Sequence, residues 1–380
     1  MTQTVHKNRI EWVDVLRGIA IIFVLLAHYD AASAGRLYHF AHKFSVALFF
    51  FISGMMSLSA QKTNFVQYAH KQAGRLLLPY AFFAVVNSLF FFVFNRSIGV
   101  KGIADMLITY IIGKRNTLAT APMWFLPCLF IVCLLYKALW DTFKSHKAVL
   151  PICFVLSAAA KIFFEEPIMV WSFNHGIKYL IYYAIGAAVF PVIKNFDFSS
   201  VKNLPVWQKA LLAIAVAADI WYVCCIYIGR NIIPTPNLVS ACAAVFINAM
   251  AIIIFMTLLS MIISRFKPLS VIGRETLGFC CGESISRALL NTAMALTGFG
   301  FAANSPLKVV VYNFIAMAIS YFVIILPLNL FFPQLLGKPK KAKKKKSANK
   351  NQTVGAKAPT VFVFCNITVC CVEQTDVLHN

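Results

Sequence analysis

Long apolar runs, separated by short polar connections, follow one another from residue 14 to residue 332. The pattern predicts about ten transmembrane helices, over 14–31, 44–60, 76–95, 122–140, 148–164, 177–193, 207–228, 238–263, 270–296 and 308–332. The fifth run is short, and the ninth is interrupted by Arg274, Glu275, Glu283 and Arg287. The stretch 101–113 is apolar but flanked by Lys101, Lys114 and Arg115, which predicts a helix lying in the interface. A β-barrel would instead show segments of alternating hydrophobicity. The expected fold is an all-α polytopic membrane protein, with no cleavable signal peptide because no small-residue site follows the first run.

Composition agrees with that class. Of 380 residues 60% are hydrophobic and 13% charged, roughly half the ~25% charged share of a soluble domain. The net charge of +22 invites a nucleic-acid reading, but its distribution argues against one. Nine of the 35 Lys and Arg follow residue 337, and most of the others sit in short connections, as in loops facing anionic lipid. With the N-terminus inside, 14 lie on inner connections and 10 on outer ones, so both termini are expected in the cytoplasm. The eleven cysteines show no metal-type spacing, and the pairs Cys224-Cys225 and Cys280-Cys281 are adjacent rather than CxxC. Neither a metal nor a bound cofactor is expected.

The candidate chemistry starts in the first run, DVLRGIAIIFVLLAHYD at 14–30. Arg17 and His28 are eleven residues apart. On one continuous helix that is close to three turns, which puts both side chains on one face roughly 16 Å apart. A charge inside a span costs about 2.5–3.5 kcal/mol on insertion scales, so it normally faces a polar cavity or a partner. Asp14, one turn before Arg17, is the nearest partner. The competing reading has Asp14 and Arg17 anchoring the span at the headgroups, with His28 marking its far end.

Further motifs stand in a fixed order: FFFISGMMSL at 49–58, GRLLLPY at 74–80, MWFLPCLFIVCLLY at 123–136, GIKYLIYYAIGAAVF at 176–190 and IGRETLGFCC at 272–281. Together with the R-x10-H of the first run, they resemble the acyltransferase-3 family of bacterial integral membrane O-acyltransferases over residues 10–336. The resemblance implies that Arg17 and His28 take the places of the family's essential arginine and histidine, and that Arg75 matches the basic residue before its leucine-proline-tyrosine run. It implies acyl-CoA, in the first place acetyl-CoA, as donor substrate. The acceptor would be a cell-surface glycan or lipid-linked sugar, and the location the bacterial inner membrane. Two positions depart from the family pattern. Gln72 stands where a second arginine is frequent, and Glu283 where many relatives carry a histidine.

The residues fit acyl transfer on their own terms. Histidine titrates nearest neutrality and is the commonest base for deprotonating an attacking hydroxyl, and it can also carry an acyl group covalently. A cation in a low-dielectric site can hold a phosphate or a developing oxyanion. Ser53 is a possible nucleophile, though serine beside glycine in a span more often serves close helix packing. Trp124 either lines the site or anchors a span end. His175 with Glu165 and Glu166, and likewise His39 and His42, fall in outer connections and read first as loop residues. Asp219 is an acid within an apolar run, with no partner assignable from sequence. A proton-coupled secondary transporter is the alternative class, but the first-run motif has no counterpart in the second half. From Gly337 a lysine-rich tail begins, and its apolar stretch after residue 357 is too short for an ordinary span.

Overall fold

The computed structural model describes residues 9–57, 62–94, 99–196, 198–298 and 304–338. Its centre is helix α1, Glu11–Leu26. Every residue of α1 from Trp12 to Leu26 is buried or partly buried. At 16 residues the helix is about 24 Å long, shorter than a usual crossing. A helix apolar nearly all round belongs inside a bundle. That placement explains how α1 carries Asp14 and Arg17, because its polar side chains meet other helices and not lipid.

Around and beyond α1 lie α2 Ala31–Ala34, α3 Arg36–Met55, α4 Phe65–Phe94 and α5 Gly99–Ile112. After a 3-10 turn at Ala121–Trp124 come α6 Phe125–Phe143, α7 His146–Phe163 and α8 Phe173–Ile193. The chain continues through α9 Phe198–Lys202, α10 Val206–Tyr227, α11 Leu238–Ile262, α12 Lys267–Arg274 and α13 Thr276–Thr297. The last long helix is composite. It comprises α14 Pro306–Ile319, a π-helical turn Ser320–Ile325 and α15 Leu326–Phe331, followed by a 3-10 turn at Pro333–Leu336. Helices α3, α11, α12, α13 and α14 all pack on α1.

Among the described residues, seven helices are long and apolar enough to cross a membrane: Phe65–Phe94, Ala121–Phe143, His146–Phe163, Val170–Ile193, Val206–Tyr227, Leu238–Ile262 and Pro306–Phe331. The expected first, second and ninth spans are not in this set. The ninth is split at Glu275 into α12 and α13. These three carry much of the polar chemistry. The stretch expected to lie in the interface is the 14-residue helix α5, which ends at Gly113 with φ of +61°. Gly337 and Lys338 belong with the body. A Cβ on Gly337 would come within 2.7 Å of the Arg75 carbonyl oxygen, and Lys338 Nζ reaches both Glu275 carboxylate oxygens at 2.6 and 2.7 Å. The tail from 339 onward, including its short apolar stretch, lies outside the described residues.

Two pairs of glycines let backbones touch. A Cβ on Gly273 would lie 1.7 Å from the Asp14 carbonyl oxygen, and one on Gly18 would lie 2.3 Å from that of Leu269, so α1 and α12 interlock. Gly54 and Gly186 do the same for α3 and α8, at 1.9 Å from the Tyr183 oxygen and 2.1 Å from the Phe51 oxygen. Backbone atoms cannot step aside as side chains do. Gly273→Ala should therefore lower the unfolding temperature in detergent, with an overpacking cost of about 1–3 kcal/mol or more. Gly74→Ala on α4, where a Cβ meets nothing within 4 Å, should be neutral or slightly stabilising. Equal melting temperatures for the two variants would refute the interlock.

Candidate active site

The two glycine contacts between α1 and α12 have a chemical consequence at the N-terminal end of α1. They bring Arg274, the last residue of α12, to Asp14. The Asp14 carboxylate is buried and meets three guanidinium groups: Arg9 in a two-pronged hydrogen bond, Arg17 Nη1 at 3.6 Å and Arg274 Nε at 3.6 Å. Arg274 is steadied by Ser270, whose Oγ accepts from Nη2 at 3.0 Å. Arg75 on α4 is exposed and within electrostatic reach of Arg17. One buried carboxylate thus gathers three cations in contact, with a fourth nearby. The surplus positive charge suits an anionic group such as a phosphate. Arg17 does have Asp14 as a partner, as the sequence spacing implied, but shares it with Arg9 and Arg274.

At the other end the helix stops sooner than the spacing argument required. Helix α1 closes at Leu26, and His28 lies in the turn beyond, its backbone N–H donating to the Leu25 carbonyl at 3.2 Å. Three whole turns of one α-helix therefore do not connect Arg17 to His28, because the final turn is tightened into an i−3 pattern. What fixes His28 is α13. Arg287 Nη1 donates to the His28 carbonyl at 3.2 Å, and its Nη2 to the Leu25 carbonyl at 3.0 Å. The Leu25 carbonyl thus accepts from both the His28 N–H and Arg287, at a helix end where carbonyls run short of intrahelical donors. The same guanidinium lies 2.8 Å from Glu283 Oε1 and 4.2 Å above the Tyr29 ring. Glu283 is buried, and its Oε1 stands 3.5 Å from His28 Nδ1, long for a hydrogen bond but within ion-pair range. Such contacts often tighten only when substrate binds.

A third group flanks this one. Trp124 is buried, so it is not an interfacial anchor. The Arg115 guanidinium sits 5.3 Å from its ring centroid, and His175 meets it edge-on at 6.2 Å. Arg115 lies within electrostatic reach of both His28 and His175. The other candidates stand apart. Ser53 is half-buried on α3 beside the Gly54 contact, which fits its packing reading. Asp219 is half-buried on α10 and makes no ion pair among the described residues. His42 is exposed, its Nδ1 bonded to the Tyr38 carbonyl at 2.9 Å, and His39 is exposed beside it. Glu165 is engaged by Lys161 at 2.6 Å and Lys178 at 2.8 Å.

Sequence reasoning gave no role to Arg9, Arg274, Arg287 or Arg115. For Arg287 a signal existed, since it stands four residues after Glu283, the spacing of a helical ion pair. For Arg274 none did, because its partner is 260 positions away and is reached only through the glycine interlock.

A family model described as an acyltransferase domain matches residues 10–325. No curated protein and no solved structure matches the chain.

The connection that bears Glu165 yields a pH prediction. Burial alone would raise this carboxyl, but hydrogen bonds from Lys161 and Lys178 outweigh it and hold it at about 2, below its ordinary 4.5. A depressed carboxylate contributes stability above its unfolded value and loses it as pH falls through the folded value. The tether should therefore be intact from pH 8 down to pH 5. Hydrogen exchange in 164–169, corrected for intrinsic rates, should be equal at those two pH values, and Glu165→Gln should accelerate it at both.

Proposed function

The chain belongs to the acyltransferase-3 family, and on that premise we propose that it moves an acetyl group from acetyl-CoA to a hydroxyl of a cell-surface or lipid-linked glycan. The observation that carries the reading is the His28–Glu283–Arg287 cluster at one end of α1, with an arginine cluster around Asp14 at the other. An acyl donor with phosphates and an acceptor with a hydroxyl ask for those two chemistries on one axis. The excess of Lys and Arg on the inner connections supports an inner-membrane protein with both termini in the cytoplasm. Arg17, Arg9, Arg274 and Arg75 would then meet a cytosolic donor, while His28 works toward the far side.

In this mechanism Arg17 holds a donor phosphate through its planar fork, backed by Asp14. His28 turns Nδ1 toward Glu283, which leaves Nε2 for the substrate. Nε2 takes the proton as the acceptor oxygen attacks the thioester carbonyl. The C–O bond forms, the C–S bond breaks, and the thiolate recovers a proton. Transfer through an acyl group on His28 itself uses the same residues in two steps. Glu283 stabilises the imidazolium that forms, and Arg287 holds Glu283 and the His28 turn in place. Trp124 and Arg115 flank the acceptor side.

The test is direct. Purified protein in nanodiscs should release CoA from acetyl-CoA without any imposed gradient. His28→Ala should still insert and accumulate but lose about 10²–10⁴ in rate, as expected for a missing general base. Arg17→Lys keeps the charge but not the fork, so it should insert normally and lose most activity. Wild-type acetylation by the His28→Ala protein would remove the central claim. Gradient-driven uptake with no CoA release would point to transport instead.

A further inference from the structure

One cation near His28 has no counter-charge. Arg115 follows α5 and is partly exposed, with its guanidinium over the Trp124 ring. A cation–π contact holds a guanidinium by its face and leaves its N–H donors free. Those donors have no acceptor, and the charge has no carboxylate, among the described residues. The groups within its electrostatic reach include His28, His175 and Lys178, none of them an acid. Glu165, which reaches His175, is held by Lys161 and Lys178. His175 is a second unspent polar group. It is 3% exposed, and neither ring nitrogen has a hydrogen-bond partner among the described residues. The Glu165 backbone comes near its ring but outside hydrogen-bonding geometry. Native interiors seldom leave such groups idle.

The backbone holds Arg115 in place. Its N–H donates to Ser172 Oγ at 2.9 Å, and the Trp171 indole donates to the Ile111 carbonyl at 2.9 Å. These two bonds clamp the 111–115 segment to the residues before α8. Further along the same connection, Ser284 Oγ donates to the Ala119 carbonyl at 3.1 Å and Cys280 Sγ meets the Pro122 carbonyl at 3.6 Å. Cys280 and Ser284 form one stripe of α13, while Glu283 and Arg287 form another about 100° round the helix. The connection that carries Arg115 and Trp124 is therefore docked on a different stripe of α13 from the one that meets His28 Nδ1. A fixed, unpaired guanidinium on an aromatic platform suits an anionic ligand.

Building on the acyl-transfer reading, we propose that Arg115 selects an acceptor glycan that carries a negative charge, a carboxylate or a phosphate close to the hydroxyl that is acylated. The guanidinium takes two anion oxygens through its fork while Trp124 holds its face. A hydroxyl of the same sugar, or of its neighbour, is then presented to His28 Nε2. The anion is either the sugar's own carboxylate or the phosphate that joins a sugar to its lipid carrier, since both offer the paired oxygens that the fork requires. Arg287 does not compete for it, being already paired with Glu283. A neutral sugar leaves Arg115 uncompensated and forfeits the contact.

The experiment is calorimetric binding to full-length protein in phosphatidylcholine nanodiscs, with methyl glucuronide, glucose 1-phosphate and methyl glucoside as probes. At least one of the anions should bind, and the glucoside should not. The tighter anion tells a sugar carboxylate from a carrier phosphate. Arg115→Gln should weaken anion binding by about tenfold or more, the worth of a hydrogen bond to a charged group. Arg115→Lys keeps the charge but not the fork, so its affinity should fall between the two. Circular dichroism and melting temperature confirm folding, and if Arg115→Gln does not fold, an unchanged affinity in Arg115→Lys is decisive against the proposal. Absence of anion binding, equal binding of all the probes, or wild-type anion binding in folded Arg115→Gln overturns it, the last by placing the anion at other arginines such as those around Asp14. Acetyl-CoA turnover in the same nanodiscs separates this inference from the reading beneath it. CoA release without anion binding removes the acidic acceptor alone, whereas anion binding without CoA release removes acyl transfer and the acceptor assignment with it.

Discussion

A carboxylate removed from water must find its counter-charges within reach, and Asp14 shows how much structure that requirement organises. Breaking one partner from a buried ion pair costs about 3–5 kcal/mol, because the remaining charge stays buried without compensation. Asp14 sits on a central helix, so its partners come from its own chain entry (Arg9), its own face (Arg17) and another helix (Arg274). The last of these demands that α12 lie against α1 with no side chain between them. Gly18 and Gly273 meet that demand. The electrostatics at the N-terminal end of α1 and the packing of the bundle core are therefore one constraint.

The C-terminal end of α1 follows the same logic. There the buried carboxylate is Glu283, and Arg287 answers it while also donating to the Leu25 and His28 carbonyls at the end of α1. A single guanidinium spends its donors on an ion pair and on two backbone oxygens, and its face on Tyr29. Lysine has the charge but neither the fork nor the flat face. His28 consequently owes its position more to α13 than to the helix that precedes it.

The sequence carried the all-helical class, the order of the apolar runs and the residues of the first motif, because burial in a bilayer leaves a strong periodic and compositional trace. The pairing of Asp14 with Arg17 was legible too, since three-residue spacing is local. The end of α1 was not, because Leu26 and Ala27 carry no stop signal such as glycine or proline, and the tightened turn depends on Arg287 from far along the chain. The split at Glu275 was only half legible. The charges at 274 and 275 announced an interruption, yet their partners, Asp14 and Lys338, are tertiary. The buried state of Trp124 was hidden for the same reason, being set by Arg115 and His175 from other segments.

The π-helical turn at Ser320–Ile325 has an architectural consequence. A wider turn absorbs one residue beyond what an α-helix would use, and one residue rotates everything downstream by about 100°. Asn329, past that turn, donates to Glu275 at 3.0 Å and accepts from Lys338 at 2.7 Å. The same added residue thus sets Ser320 against Gly282 in mid-bundle and aims Asn329 at the start of α13. Removing a single residue from this segment would misalign both ends of one contact surface at once, so the composite helix tolerates substitution far better than it tolerates a change in length.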